Sequence, residues 1–453
     1  MSRSPSNIAP SSGPALYGWG LRQLRVRKAH ATTRGSKHLI VAVIDIGYRT
    51  HDALEPHLWI DPKNKRSKRH GWDFIDDDAS LEYRGVREDS SEYFRGHHGF
   101  VAGEVAHIAP ECPIMMVRTG YGNPPSWGRA IRYAVDNGAR VLITPHGYIG
   151  GETAHGVPLF YRGTDFAYPW DNPDLRNAMD YAYNHGCLIF KGSADNKGRR
   201  VVTFQAGFDA VFTIGSTNRG GRAADICPDC DYVEAGAPGG ERHSGIINDQ
   251  IRGYDGDQGF MYMTGGCMAS GFAGGVGALV WSQRPTLSVE QLRQVLRNTA
   301  RRVKDVAYDE HGWESRLGHG ILDASRGVSL RDDQLCRNLR LIPSSVRMGK
   351  GRASRRLEVK VRNDGVFDAQ KGIVVAYNGP SRKPADPRAS RHEPAQPLQT
   401  KQIGHAVFAI RGFATKDISI KLTEKPGEAV WFETFNLDRE DAGHVHLARS
   451  RIT

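Results

Sequence analysis

Short apolar runs alternate with longer amphipathic stretches over the first 330 residues of the chain. The apolar runs read HLIVAVID, CPIMMVR, ARVLITP, GCLIFKGS and AVFTIGST. They are rich in β-branched residues and nearly continuous in apolar character, which is typical of parallel strands buried on both faces. Because helix-like stretches separate them, the pattern predicts an α/β domain whose parallel sheet is flanked by helices.

The stretches between these runs carry helix signals. VAGEVAHIA, SWGRAIRYAVDNG and DLRNAMDYAYNHG are candidates, and the last two end at a glycine suited to close a helix. Residues 286–304 form a clear amphipathic pattern, which Ser288 can open by accepting hydrogen bonds from the first free amides.

Beyond about residue 340 the apolar period changes from helical to strict alternation. The alternating apolar positions are Leu357, Val359 and Val361, then Ile418, Ile420 and Leu422. Alternation with tight-turn sequences between the runs predicts an all-β immunoglobulin-like sandwich. We therefore expect a disordered tail at 1–14, the α/β domain at 15–330, a linker at 331–340 and a β-sandwich accessory domain at 341–453.

Charge is unevenly distributed between these two predicted domains. The formal net charge is +11, and residues 331–453 hold 23 Lys and Arg against 14 Asp and Glu, a balance of +9. No nucleic-acid-binding motif accompanies this excess, so we expect a solvated basic surface and no nucleic-acid partner. The sandwich has no cluster of acids, histidines or cysteines, which favours contact with a protein partner over catalysis.

Metal and cofactor signals are weak. Cys227 and Cys230 form a lone C-x-x-C, but a structural zinc site needs four ligands and no second pair of matching spacing is present. The adjacent acids at 76–78 lie in a strand-like run and do not converge easily on calcium. We expect neither a metal nor a cofactor.

Three short segments carry candidate chemistry. Asp45 ends the apolar strand VAVID, where open α/β sheets place functional groups, although a plain strand-end cap is the simpler alternative. RGHHGFVAGEVAHIAP sets paired histidines before a helix of small residues, where a histidine can act as a general base. TGGCMASGFAGG places Cys267 at the start of a glycine-rich helix. Aspartate, histidine and nucleophile in this chain order can form a catalytic triad.

Together these segments resemble the motifs of the subtilisin-like peptidases, the subtilases. VAVIDIG matches the family's aspartate motif, HHGFVAG its histidine motif and GGCMASG its GTSMASP motif, and the resemblance covers roughly residues 15–330. It implies a seven-stranded parallel sheet and peptide-bond hydrolysis through an acyl-enzyme. It also implies that VLITPHGYIGG lines the substrate cleft.

The resemblance assigns further site residues. The turn GSADNKG places Asn196 as the oxyanion donor, with Asp195 where the family usually has glycine. In the histidine motif, counting back from Val101 without a gap selects His97, whereas the HG pair selects His98. We prefer His97 as the base, because the helix fixes the register.

The nucleophile motif departs from the family at four positions. Cys267 replaces serine, Gly266 threonine, Gly271 proline and Phe272 histidine. A thiol at a helix N-terminus beside a histidine suits nucleophilic catalysis, so we predict an endopeptidase that uses Asp45, His97, Cys267 and Asn196. Two alternatives stay open: an inactive peptide- or protein-binding scaffold, and a ligase or transpeptidase that passes the acyl group to an amine.

The N-terminal sequence bears on localisation. MSRSPSNIAPSSGP lacks the apolar core of a signal peptide, and no stretch approaches the roughly 18 apolar residues of a membrane span. Nothing that resembles a propeptide precedes the mature-like start near residue 15. We expect a cytoplasmic protein without membrane association.

Overall fold

A computed structural model describes residues 15–451 apart from 48–50, 64–68, 82–91, 121–123, 147–172, 194, 196–204, 207, 209, 230–231, 242–248, 256–257, 310–311, 338, 350–354, 379–400, 425, 427–428 and 437–444. The predicted tail at 1–14 lies outside the described residues. The chain divides into two compact units, Met1–Ser329 and Leu330–Thr453.

The first unit is built on a seven-stranded sheet in which every neighbouring pair is parallel, with the order β2-β3-β1-β4-β5-β6-β7. Its strands are β1 Ile40–Asp45, β2 Gly71–Asp73, β3 Ile114–Arg118, β4 Ala139–Ile143, β5 Leu188–Gly192, β6 Val211–Thr217 and β7 Ala235–Pro238. The expected parallel sheet is confirmed, and each of the five apolar runs forms one of its strands. The two remaining strands, β2 and β7, are too short to give a periodic signal.

Helices cover both faces of this sheet. They are α1 Gly18–Gln23, α2 Val26–Ala29, α3 Glu92–Ile108, α4 Pro124–Asp136, α5 Pro173–Asn184, α6 Gly266–Gln283, α7 Val289–Thr299 and α8 Ala324–Val328. Helices α4 and α5 share a buried core with Ala42 and Ile44 of β1. On the other face α6 lies against β4 and β5 and beside α3. A two-stranded hairpin, β8 Ile251–Tyr254 and β9 Phe260–Met263, completes the described part of the unit.

Close packing explains the dense glycines of α6. A Cβ on Gly275 would lie 2.9 Å from Ile108 Cδ1 of α3, and a Cβ on Gly277 would overlap the Phe190 ring of β5. The helix is buried along almost its whole length. Small residues therefore let α6 lie directly on the sheet, at a cost in helix propensity.

Two helix boundaries differ from the expectation. Helix α7 is opened as predicted by Ser288, whose Oγ accepts from the Gln291 amide at 3.2 Å, but it ends at Thr299 instead of 304. It stops there because Arg301 pairs with Ile321 in a β-bridge. Helix α3 begins at Glu92, so the paired histidines lie inside the helix and not before it.

The second unit is an antiparallel β domain. Its strands are β10 Leu339–Met348, β11 Arg356–Asn363, β12 Ala369–Asn378, β13 Lys401–Ile410, β14 Thr415–Leu422, β15 Ala429–Asn436 and β16 Val445–Arg451. They follow the order β10-β11-β14-β13-β12-β15-β16, and β13 meets β14 through two residue pairs, Gly404 with Leu422 and His405 with Lys421. The alternating positions of β11 and β14 point into one core, which confirms the all-β expectation. Its immunoglobulin-like identity stays a prediction.

The segment predicted as a linker, 331–340, contains a 3-10 helix at Asp332–Gln334 and the first two residues of β10. In the part of the chain that the structure describes, no helix has both the length and the apolar character needed to cross a bilayer.

Candidate active site

Asp45 stands at the carboxyl end of β1 and is fully buried. Its Oδ1 accepts a hydrogen bond from the Ile46 amide at 2.8 Å, and its Oδ2 lies 2.7 Å from Nδ1 of His97. Burial alone would raise the pKa of Asp45, but the nearby His97 and His146 outweigh it and hold that pKa well below its ordinary value. Asp45 is therefore a buried carboxylate that faces an imidazole.

The two adjacent histidines of α3 point to different partners. His97 Nδ1 donates to Asp45, whereas His98 Nε2 donates to the Val43 carbonyl oxygen at 2.9 Å. Burial opposes the charged form of His97, but Asp45 outweighs it and raises the pKa of His97. Burial lowers the pKa of His98 to about 4. His97 thus adjoins the carboxylate, and His98 joins the helix to β1.

Cys267 lies in the first turn of α6 and is half-buried. Its Sγ donates to the Pro145 carbonyl oxygen at 3.2 Å and lies within 4.8 Å of an imidazole nitrogen of His97. The structure therefore brings Asp45, His97 and Cys267 together from β1, α3 and α6. Asn196, the predicted oxyanion donor, lies outside the described residues.

Asp195 occupies a position at which the resemblance leads one to expect glycine. Its Oδ1 accepts from the Gly266 amide at 2.6 Å, so the carboxylate caps the N-terminus of α6 one residue before Cys267. The cap adds a negative charge next to the thiol. The sequence showed Asp195 only as a departure from the family motif and gave no sign of this contact.

Lys191 is a buried cation that the sequence interpretation missed. Its Nζ donates at 2.8 Å to the Pro145 carbonyl oxygen, the same atom that accepts from Cys267. Burial lowers the pKa of Lys191 to about 8, although the nearby Cys267 and Asp195 partly offset that effect. The available signal was a single lysine within the apolar run GCLIFKGS, which predicts a strand buried on both faces.

His146, which the resemblance placed only in the segment expected to line the substrate cleft, is a second side chain without an assigned catalytic role. Its ring centroid lies 4.1 Å from that of His97, and its Nε2 lies 3.3 Å from Asp45 Oδ1. Burial, followed by the charge of His97, lowers the pKa of His146 well below its ordinary value. His146 is therefore a neutral imidazole packed against the Asp45–His97 pair.

Two departures from the nucleophile motif are explained by packing. A Cβ on Gly271 would overlap Oε2 of Glu104, a fully buried side chain of α3. The Phe272 ring occupies the space above Gly20 and lies edge-on to Tyr17. The altered positions of the motif thus have matching partners on neighbouring helices.

The acids and thiols weighed as metal ligands have other contacts. Asp76 Oδ2 accepts from Arg118 Nη1 at 2.8 Å, and Asp73 contacts the same guanidinium. The buried Cys227 thiol donates to the Arg316 carbonyl oxygen at 3.4 Å, and Cys230 lies outside the described residues. Among the described residues, the group whose donor atoms lie close enough for a shared metal ion is His97, His146 and Cys267.

Comparison with known proteins agrees with the fold. The sequence profile of the subtilase family (Peptidase_S8) matches residues 36–320. A thermostable alkaline protease from Halalkalibacterium halodurans is 25% identical over 323 residues, which cover 68% of this chain and 73% of the relative. Fervidolysin from Fervidobacterium pennivorans is 25% identical over 342 residues, which cover 68% of this chain and 43% of the relative.

A solved protease structure from Pseudoalteromonas arctica superimposes with a TM-score of 0.53 at 20% identity, covering 68% of this chain and 93% of that one. This likeness concerns the fold of the first unit. Since the family profile spans well over half of the 453 residues, the chain belongs to the subtilase family of subtilisin-like proteases.

Proposed function

We propose that the chain is a thiol-dependent endopeptidase in which Cys267 is the nucleophile, His97 the proton carrier and Asp45 the carboxylate that orients it. The observation that carries this proposal is the 2.7 Å contact between His97 Nδ1 and Asp45 Oδ2, with the Cys267 sulfur close to the same imidazole. This is the geometry that a nucleophile, base and orienting group require.

In the proposed reaction, the proton of Cys267 already resides on His97, and the thiolate sulfur attacks the carbonyl carbon of the scissile bond. The carbonyl oxygen becomes an oxyanion, and we assign its stabilisation to Asn196, since such a donor typically contributes about 10²–10³ in turnover. The intermediate collapses to a thioester, and His97 gives its proton to the leaving amine. Water then attacks the thioester with His97 as base and releases Cys267.

The raised pKa of His97 supports this use of a thiol. A histidine that holds its proton forms an ion pair with a thiolate, which is already the reactive form of cysteine. Asp45 stabilises the same imidazolium, because its carboxylate lies at hydrogen-bonding distance and remains charged.

The substrate is a peptide or protein segment. We propose that it binds in extended form beside the end of β4, where residues 144–146 lead from the sheet to the site. Because an oxidised Cys267 would be inert, we place the activity in a compartment that keeps thiols reduced, such as the cytoplasm.

The test is cleavage of a diverse peptide mixture under reducing conditions, read by mass spectrometry, with the native chain and Cys267→Ala compared. Cleavage by the native chain alone, together with a trapped adduct whose mass equals the protein plus an acyl fragment, is the expected result. Cys336→Ala removes a half-buried cysteine of the second unit and is the matched control, which should cleave as the native chain does.

Other outcomes would favour the alternatives. Joined or cyclic peptides that depend on Cys267 would point to a ligase or transpeptidase. If no product appears and peptides bind Cys267→Ala as well as the native chain, the peptidase proposal fails and a binding scaffold takes its place.

A further inference from the structure

The candidate active site contains one imidazole more than a triad needs. His146 lies tilted at 43° against His97, and its Nε2 is 3.1 Å from His97 Nδ1. A nitrogen of each imidazole and the sulfur of Cys267 all lie within 4.8 Å of one another. Both imidazoles are buried, and the thiol is half-buried.

Two imidazoles and a thiolate form a donor set that suits Zn²⁺ and other thiophilic divalent ions. Asp45 orients one of these ligands: because His97 Nδ1 donates to the carboxylate, Nε2 is the nitrogen that can bind a metal once it has given up its proton. A carboxylate behind a histidine is the usual support of zinc-bound imidazole.

The distances require only a small adjustment. Bonds of about 2.0–2.3 Å to a tetrahedral ion place the donor atoms about 3.5 Å apart, so a separation of up to 4.8 Å must contract by at most about 1.3 Å. Rotations of the side chains can supply such a shift. Three protein ligands leave the fourth position of the ion to water.

The surrounding charges nearly balance. Asp45 lies within 3.3 Å of His146 Nε2 and favours a cation, and the Asp195 carboxylate lies at the start of α6 beside Cys267. The Lys191 ammonium opposes a cation, so that two carboxylates lie near the site against one ammonium.

We propose that His97, His146 and Cys267 form a reversible binding site for Zn²⁺ or a similar thiophilic divalent ion, and that the bound ion switches the peptidase off. The ion takes the lone pairs of both the nucleophile and the base, and the proton that His97 holds is released to solvent on binding. The inhibition rests on the proposed function, but the ion binding does not.

The test uses the full-length reduced chain titrated with Co²⁺, which reports thiolate ligation by a sulfur-to-metal charge-transfer absorption, and then with Zn²⁺ in competition. We expect one Co²⁺ per chain with that absorption, and loss of the absorption in Cys267→Ala. His146→Gln should weaken Zn²⁺ binding by at least about tenfold. His107→Gln, which removes a histidine bonded to its own helix, is the matched control and should not change the affinity.

A second variant distinguishes the loss of a metal ligand from misfolding of the chain. His146→Cys supplies another zinc ligand at the same position, so it should retain tight Zn²⁺ binding where His146→Gln loses it. The proposal is overturned if the native chain shows no charge-transfer absorption, or if His146→Gln binds Zn²⁺ as tightly as the native chain. Zinc binding without peptidase activity in the metal-free chain would refute the proposed function and leave the site standing. Activity that does not change with stoichiometric Zn²⁺ would refute the proposed inhibition and leave the peptidase function standing.

Discussion

Glu104 is a fully buried carboxyl group of α3, and neither of its oxygens has a hydrogen-bond partner among the described residues. Burial, followed by the nearby Cys267, raises the pKa of Glu104 well above its ordinary value. A group whose pKa is raised by folding stabilises the native state fully only below its unfolded-state pKa. The native state therefore loses stability as the pH rises above about 4.3, the usual value for glutamate.

We accordingly expect Glu104→Gln to be more stable than the native chain at pH 7–8. Its advantage should grow with pH by about 1.4 kcal/mol for each unit above about 4.3, until the native-state pKa of Glu104 is reached. Thermal unfolding at several pH values measures this. Glu111→Gln makes the same change at an exposed glutamate and should show no such trend. A difference between Glu104→Gln and the native chain that stays constant with pH would contradict the account.

At the residue scale, sequence reasoning placed the groups that a motif fixes. Asp45 follows from its position at the end of an apolar strand, and counting back from Val101 selected the histidine that adjoins it. Lys191 and His146 were not assigned a role. Lys191 contacts the Pro145 carbonyl oxygen and His146 contacts the Asp45 carboxylate, and in each case the partner is distant in sequence. An apolar run predicts that its residues are buried, but it does not predict which groups a polar residue within the run contacts.

At the scale of single elements, α6 gives the sharpest prediction. Gly277→Ala gains up to about 1 kcal/mol of helix propensity, yet the added methyl overlaps the Phe190 ring beneath it. Overpacking of this kind typically costs about 1–3 kcal/mol, so the variant should unfold at a lower temperature than the native chain. Gln283→Ala, at the half-buried end of the same helix, controls for propensity alone. A higher unfolding temperature for Gly277→Ala would show that the Phe190 ring of β5 moves to make room for the added methyl group.

Element boundaries were predicted less well than the elements themselves. Each apolar run formed a strand, because burial on both faces leaves a signal in every residue of the run. The end of α7 was placed five residues too late, since the bridge between Arg301 and Ile321 is a tertiary contact with no local signal. The start of α3 was placed too late because Gly96 lies directly before the histidines, and glycine disfavours the interior of a helix.

At the scale of the whole molecule, the second unit has a core of its own. Leu341, Val359, Ile420 and Phe432 are all buried within it. We therefore expect a fragment of residues 331–453 to fold alone and to unfold cooperatively when circular dichroism is followed on heating. The shorter fragment 401–453 lacks β10, β11 and β12 and should show no cooperative transition. A longer fragment that fails to fold would mean that its core needs the first unit.

The change of period near residue 340 predicts two different architectures in the chain. Apolar residues line one face of a helix at a period of about 3.6 residues and one face of a strand at a period of two. A switch from one period to the other therefore marks a change of architecture. The pairing order of the C-terminal strands could not be predicted in this way. Alternation identifies which face is buried but not which strand lies beside it.

The contact between Glu104 and Gly271 constrains the history of this sequence. With any residue larger than glycine at position 271, the carboxyl of Glu104 would have to move, because the first side-chain carbon would overlap it. We therefore expect the substitution to Gly271 to have come before Glu104, or together with it. A return of proline or another side chain at 271 should be tolerated better with a smaller residue at 104. What looks like decay of a motif is one half of a coupled pair, and the order of the two changes can be tested in reconstructed ancestors.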